Sequence, residues 1–420
     1  MADAKEPRRL LLIAAKLGYQ TRMFGEAATR LGVEVVLATD RCHQLEDPWG
    51  DGAIPLRFEQ PEAAGAALAK QVWGVNGILA VGDRPTPIAA ITAEQLGLPY
   101  HPLHAVEVCR SKHKTRARLH EAGMPVPAFH LHPMDEHPTG ARSYPAVLKP
   151  LGLSGSRGVI RVDNDLQFRA AFGRIRDILE QPDIRQNRDA NDLFIQVEQF
   201  VPGREFALEG VLQHGSLQIF TVFDKPDPLD GPYFEETLYI QPARVSPSER
   251  ALLEQATVAA LDALGLRHGP VHAEMRLNEE GVWILEVAAR PIGGLCAKSL
   301  RFSNGESLEE ILVRHAVGEN ISDCKLARGA SGVMMIPIPK SGIYGGVSGV
   351  EEAERVGGIT GVEITAKVSQ RLLRLPEGNS YLGFLFAEGE HPDHVERSLR
   401  EAHSKLRFSI ATELDVFGKH

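Results

Sequence analysis

The stretch GPVHAEMRLNEEGVWILEVAARPIGG, residues 269–294, decides how the rest of the chain reads. Residues 269–277 and 281–287 are two largely apolar runs around the polar turn 278–281, the pattern of an antiparallel hairpin. Each run carries one carboxylate, Glu274 and Glu286, at a separation of 286 − 274 = 12 positions. Across a hairpin two such residues can face each other. Unpaired, they would repel and raise their pKa values, and a hard divalent cation removes that penalty because it favours carboxylate and phosphate oxygens. The plainer alternative is two surface glutamates on a half-exposed sheet. Arg290 follows four residues after Glu286. Its guanidinium can hold a carboxylate or an oxyanion, or it can brace a turn through a salt bridge. Gly293 and Gly294 allow a backbone to approach a ligand closely.

Upstream, residues 144–150 and 159–162 read as strands around the loop Leu153-Ser154-Gly155-Ser156-Arg157-Gly158. Lys149 stands at the end of the first strand, where an ammonium can reach phosphates as a point charge. The loop's N–H groups and hydroxyls can fold over phosphate oxygens, although a lone glycine-rich loop is more simply a flexible hairpin. Residues 193–200 and 206–212 are strands around Pro202-Gly203. The segment between Glu198 and Glu205, with Phe200 and Val201, can offer main-chain groups and apolar walls to an adenine, and Glu205 can accept from ribose hydroxyls. Residues 181–191 read as an irregular surface loop, and residues 248–264 as a helix.

The first hundred residues alternate strand and helix: strand 10–15, helix 23–31, strand 33–38, then strand 77–81 and helix 87–96, closed by Gly97. The glycine fingerprint GxGxxG is missing after the first strand, which excludes a dehydrogenase built on this unit. A charged helix over 111–122 ends at Gly123, and Met124-Pro125-Val126-Pro127 breaks the chain. The tail alternates strands (332–338, 372–375, 381–388) with helices (350–355, 392–406), a small α+β lid or cap. The division expected is 1–110, 111–320 with a glycine-loop subdomain at about 125–202, and 321–420.

The 420 residues are 43% hydrophobic and 24% charged, with a formal net charge of −9, which disfavours nucleic acid as the main partner. No apolar run reaches the ~18 residues of a membrane span, and 10–15 is too short for a signal peptide, so a cytoplasmic protein is expected. Cys42, Cys109, Cys296 and Cys324 are far apart, without a CxxC pair, and read as reduced structural thiols.

Taken in order, these elements resemble the ATP-grasp superfamily over about residues 9–294. The ordered set is Lys112 at a helix start, Lys149 before a glycine loop, E-x-F-V-x-G-x-E from Glu198 to Glu205, Glu274, and E-V-A-A-R from Glu286. The resemblance implies an α/β and α+β architecture: a Rossmann-like, biotin-carboxylase-type N-terminal domain, a central ATP-grasp domain and a C-terminal α+β cap. It further implies that Lys112 and Lys149 contact ATP phosphates and that Ser154, Gly155, Ser156 and Gly158 close over them. Glu198, Phe200 and Val201 would hold adenine, Glu205 ribose, and Glu274 and Glu286 Mg²⁺ or Mn²⁺. Many members carry asparagine two residues after the second glutamate; here Ala288 stands there, so a third ligand from that strand is in doubt.

Within the superfamily the chain is most similar to the L-amino acid ligases. The run Tyr233-Phe234-Glu235-Glu236-Thr237 resembles their segment with a further acidic ligand, which points to Glu236. His272 and Glu274, and Ala289-Arg290-Pro291, fit the same group. Arg290 would hold an acyl phosphate, Gly293 and Gly294, in the stretch Gly293 to Cys296, would border the substrate pocket, and His272 is a candidate base. Gly345-Gly346 and residues 379–383 would be loops of the cap. The implied protein is an ATP-dependent carboxylate–amine ligase, homodimeric, acting on a small acid and an amine. The runners-up are purine-pathway ligases or biotin-dependent carboxylases, the latter disfavoured because the chain has no Met-Lys-Met, and a catalytically silent nucleotide-binding protein.

Overall fold

The computed structural model describes residues 8–15, 18–40, 52–186 and 189–412. Cys42 lies outside the described residues; Cys109, Cys296 and Cys324 are free thiols.

The N-terminal unit runs β1 (Arg9–Ala14), α1 (Tyr19–Arg30), β2 (Glu34–Thr39), β3 (Ile54–Pro55), α2 (Pro61–Gln71), β4 (Gly77–Val81) and α3 (Thr86–Leu96). Its strands are parallel in the order β3-β2-β1-β4. A parallel sheet covered on both faces needs apolar residues at successive positions, and Leu10 to Ala14 are all fully buried. Gly97, at φ +66°, ends α3 in the left-handed conformation that glycine adopts without a Cβ clash. The unit is not free-standing. A Cβ at Gly77 would lie 2.0 Å from the carbonyl oxygen of Ala316, and Leu10, Leu12 and Phe24 share a core with Phe302, Ile311 and Phe384.

Two short helices, α4 (Leu103–Cys109) and α5 (Lys112–Glu121), lead out of this unit. Ser111 caps α5, accepting from the Lys114 N–H at 3.5 Å. The glycine-loop subdomain then packs an antiparallel sheet in the order β5-β8-β6-β7 against one helix. Its elements are β5 (Phe129–Pro133), β6 (Ala146–Pro150), β7 (Ile160–Val162), α6 (Asp165–Leu179), the single turn α7 (Pro182–Arg185) and β8 (Phe194–Gln199). The described residues of the expected irregular loop 181–191 therefore include two short helical turns. Pro182 starts α7, where a missing N–H costs nothing, and Asp189 caps a further short turn over Ala190–Leu193.

The large sheet holds β9 (Arg204–Gln213), β10 (Ser216–Lys225), β11 (Leu238–Gln241), β12 (Gly269–Asn278) and β13 (Gly281–Ala288), backed by α8 (Pro247–Leu264). Ser246 and Glu249 form a capping box at the start of α8, and Gly265 ends it at φ +80°. The expected hairpin is β12–β13, with Glu274 directly opposite Glu286.

After α9 (Leu308–Ala316) come β14 (Ala330–Ile336), β15 (Gly342–Ser348), α10 (Val350–Glu354), β16 (Ile359–Ile364), β17 (Arg371–Leu372), β18 (Gly383–Gly389), α11 (Pro392–Lys405) and β19 (Arg407–Ala411). Three of these strands extend the large antiparallel sheet, whose full order is β13-β12-β9-β10-β11-β14-β18-β16. The others form a small sheet, β17-β15-β19. Gly345-Gly346, expected as a loop of the cap, instead lie within β15, at a register shift opposite Ser409. A bulge lets a strand carry two glycines without ending the pairing. No described helix is long and apolar enough to cross a membrane.

Candidate active site

One cavity of about 500 Å³ opens between the glycine-loop subdomain, the large sheet, the start of α1 and the loop before β18. Apart from Gly158, every expected site residue lines it: Lys112, Lys149, Ser154, Gly155, Ser156, Glu198, Phe200, Val201, Glu205, Glu236, His272, Glu274, Glu286, Arg290, Gly293 and Gly294. Gly158 sits behind the loop, at φ +75°, where its N–H donates to the Pro376 carbonyl at 2.9 Å.

Two lysines line the cavity. Lys112, in the first turn of α5, donates to the Leu153 carbonyl at 2.8 Å and lies 3.7 Å from Glu286. Lys149, at the end of β6, is 2.6 Å from Glu198. Glu198 also meets the fully buried Arg116 at 2.9 Å and accepts from Gln196 at 2.6 Å. Burial alone would push its carboxyl up, yet Arg116 and Lys149 outweigh burial and hold it at about 2. Burial lowers the pKa of Lys149, and Glu198 opposes that shift. The Glu198 side chain is therefore fully engaged by Arg116, Lys149 and Gln196, while Phe200 and Val201 offer apolar surface to the cavity.

The acidic ligands group differently from the set expected. Carboxylate oxygens of Glu205, Glu236 and Glu274 all lie within 4.8 Å of one another. Glu286 faces Glu274 across the ladder but turns toward Lys112. Glu205, expected at a ribose, instead points into the acidic group and is held by Arg276 at 2.9 Å. Lys225, at the end of β10, reaches all three acids, at 3.0 Å from Glu205, 2.5 Å from Glu236 and 3.4 Å from Glu274. Burial and the neighbouring Glu274 raise the Glu236 pKa against the pull of Lys225. Burial would also raise Glu274, but Lys225 and His272 outweigh it and hold that carboxyl well below the usual range. Hard oxygen donors at this spacing fit a divalent cation bound together with substrate phosphates.

His272 does not present a free base. Its Nδ1 lies 3.0 Å from Glu209 and its Nε2 3.4 Å from Glu274. Burial pulls its pKa down, but the two carboxylates outweigh that and lift it to about 9. Both ring nitrogens are thus engaged by carboxylates. Glu209 is completely buried and also accepts from the Ile292 N–H at 3.1 Å, so it fixes the loop that carries Gly293 and Gly294. Gln20 holds that loop from the other side, donating to the Ile292 carbonyl at 3.0 Å. Arg290 is clamped by Asp83 of the N-terminal unit through two bonds, of 3.0 and 3.1 Å. Burial would push the Asp83 carboxyl up, and Arg290 more than compensates.

Lys225, Glu209 and Asp83 were not singled out by sequence. Signals existed for two of them. Glu205 and Glu209 share one face of an otherwise apolar strand, by the period of two. Asp83 follows the carboxyl end of a parallel strand, where open α/β sheets gather their ligands. Lys225 merely ends an apolar run, which is not a distinguishing feature.

Comparison with known proteins identifies the family. The ATP-grasp domain family matches residues 142–299, the ATP-grasp N-terminal domain family residues 25–100, and L-amino acid ligase C-terminal domain 2 residues 334–411. Alanine–anticapsin ligase of Bacillus subtilis is 24% identical over 68% of this chain and 64% of its own length. Carnosine synthase 1 of Gallus gallus is 29% identical over 74% of this chain, which spans only 35% of that longer protein. The crystal structure of an L-amino acid ligase from Bacillus licheniformis superposes with a TM-score of 0.81 at 27% identity, covering 97% of this chain and 100% of that one. The chain belongs to the ATP-grasp superfamily and, within it, resembles the L-amino acid ligases.

Proposed function

We propose that the protein is an ATP-dependent carboxylate–amine ligase that joins amino acids through an acyl phosphate, releasing ADP and phosphate. The observation that carries this reading is the convergence in one cavity of Lys112, Lys149 and Arg290 with the acidic group Glu205, Glu236 and Glu274. Phosphoryl transfer asks of a protein mainly positioning and charge neutralisation, and these are the groups that supply both. Phe200 and Val201 wall the adenine. Lys112 and Lys149 bind the phosphates, and the loop at Ser154, Gly155 and Ser156 covers them and keeps water from the acyl phosphate. Glu205, Glu236 and Glu274, with Glu286 beside them, would hold Mg²⁺, which would supply neutralisation of the phosphate charge. Arg290, immobilised by Asp83, faces the acid and the oxyanion formed when the amine attacks. Both His272 nitrogens are engaged by Glu209 and Glu274, so the amine's proton leaves to solvent or substrate. The three-part division near residues 110 and 320 belongs to the same proposal.

The test is to incubate purified protein with ATP, Mg²⁺ and pooled L-amino acids and to quantify ADP, AMP and phosphate. Glu274→Gln and Glu286→Gln serve as controls. Amino-acid-dependent ADP and phosphate in equal amounts, abolished in Glu274→Gln, is the expected result. AMP with pyrophosphate would overturn the acyl-phosphate route, and tight ATP binding without turnover would favour a silent nucleotide-binding protein.

A further inference from the structure

The cavity is two-faced. Beyond the phosphate and acidic groups, its far side is walled by Tyr19, Ile292, Cys296, Met335, Tyr381 and Phe384. These come from α1, the segment after β13, β14, the loop into β18 and β18 itself, so the wall exists only where the N-terminal unit, the central region and the tail meet. It is built and not incidental. Tyr19 stands edge-on to Phe384 at 6.3 Å between centroids, Tyr381 at 6.1 Å, and Phe384 is backed by Phe386 at 6.4 Å. Gly294, at φ +64°, makes room for it: a Cβ there would lie 3.2 Å from the Phe384 ring. Ile292, Cys296, Met335 and Phe384 are buried, whereas Tyr19 is 44% exposed at the cavity's opening.

The wall adjoins the acidic group directly. Met335 of the wall donates its N–H to the carbonyl of Thr237, the residue after Glu236, at 2.8 Å. A carboxylate waiting to attack a γ-phosphate at that group therefore projects its own substituent onto the wall. Every charged lining residue described is already paired: Lys112 with Glu286, Lys149 with Glu198, Arg276 with Glu205, His272 with Glu274, Glu236 with Lys225 and Arg290 with Asp83. A charged substituent would lose its water there without gaining a counter-ion.

We infer that the acid activated by this enzyme is an amino acid with a bulky apolar or aromatic side chain, selected by the Tyr19, Met335, Tyr381 and Phe384 wall. The inference rests on the ligase reading above. Burial of such a side chain in an apolar pocket distinguishes it from a small or charged one on the order of 10- to 100-fold in kcat/KM.

The experiment uses the full chain with ATP, Mg²⁺ and hydroxylamine as a common amine, which captures any acyl phosphate as a hydroxamate while phosphate leaves. Leucine, methionine and phenylalanine are compared with glycine, alanine, aspartate, glutamate and lysine. The expected result is at least tenfold higher kcat/KM for the first group. In Tyr381→Ala the ratio of phenylalanine to alanine falls roughly tenfold, through KM, while Tyr381→Phe keeps the ratio within about twofold. Hydroxamate formed best from small or charged acids overturns the inference and leaves the ligase reading standing, as does a ratio that Tyr381→Ala does not move. If Tyr381→Ala fails to fold, the panel on the unaltered protein decides alone. No hydroxamate and no ADP with any acid overturns the ligase reading, and the inference falls with it.

Discussion

Glu198 lies 2.6 Å from Lys149 and 2.9 Å from Arg116, with only 3% of its side chain exposed. Removing one partner of such a group strands the others as uncompensated buried charges, at a cost of about 3 kcal/mol. Glu198→Gln is therefore expected to lower the melting temperature near neutral pH. The pH dependence gives a sharper readout. The folded-state carboxyl titrates at about 2, below its ordinary value of 4.5. A depressed carboxyl contributes stability that is present above the ordinary value and is lost as pH falls through the folded one. Thermal melts of the unaltered protein between pH 6 and pH 2 should lose stability below about 4.5, and Glu198→Gln should flatten that slope. An unchanged acid profile in the variant would mean that the triad carries no such energy. Single residues of this kind were only half legible. Lys149, Glu198, Glu274 and Glu286 stood out because each is charged within an apolar strand. What each side chain binds was not legible, because Arg116, Lys225 and Glu209 approach from elements distant in sequence.

The glycine loop is a hairpin end whose partners lie across the molecule. Gly158 donates to the Pro376 carbonyl, Arg157 to the Glu377 carbonyl at 2.8 Å, and Arg174 of α6 pairs with the Glu377 carboxylate, in one bond at 2.9 Å. Ile160 of β7 bridges Tyr233, and Arg161 donates to the Pro232 carbonyl at 2.9 Å. Closure of the subdomain over the cavity is thus tied to the segment holding Glu236 and to the one leading to Tyr381. The Arg174–Glu377 pair is part-exposed, so it adds little to global stability. Glu377→Ala should leave the melting temperature within about 1 °C, while amide exchange over residues 152–160 speeds up and the KM for ATP rises severalfold. Equal exchange rates in both proteins would sink the idea of a latch. At this scale, elements that pair with their chain neighbour were readable, β12 with β13 and β6 with β7. Their alternation and turns are local. The pairing of β9 with β12, which sets Glu209 beside His272, joins segments about sixty residues apart, and no local pattern encodes it.

Across the whole molecule, the N-terminal α/β unit does more than lead into the ATP site. Its Asp83 clamps Arg290, Gln20 holds the Ile292 carbonyl, and Tyr19 begins the apolar wall. Asp83→Asn keeps the size of the side chain and removes the charge that opposes Arg290. Turnover is expected to fall by roughly 10- to 100-fold through kcat, with ATP affinity within about twofold, because the clamp acts on the acid and not on the nucleotide. A matching loss of ATP affinity would instead mean that the unit only supports the fold. The alternation of strands and helices announced an open α/β unit, and the missing glycine fingerprint excluded a dinucleotide site. Its contribution to the cavity was invisible because it depends on the docking of that unit onto α9 and β18. The tail was legible as alternating strands and helices, but the merger of β14, β18 and β16 with the large sheet rests on contacts between distant segments.

The central claim, that a carboxylate oxygen becomes bonded to the γ-phosphorus of ATP, has a direct isotopic readout. An amino acid carrying ¹⁸O in both carboxylate oxygens, incubated with ATP, Mg²⁺, an amine and the protein, should yield phosphate containing one ¹⁸O for each ADP formed. Unlabelled phosphate at full turnover, or AMP in place of ADP, would contradict the account.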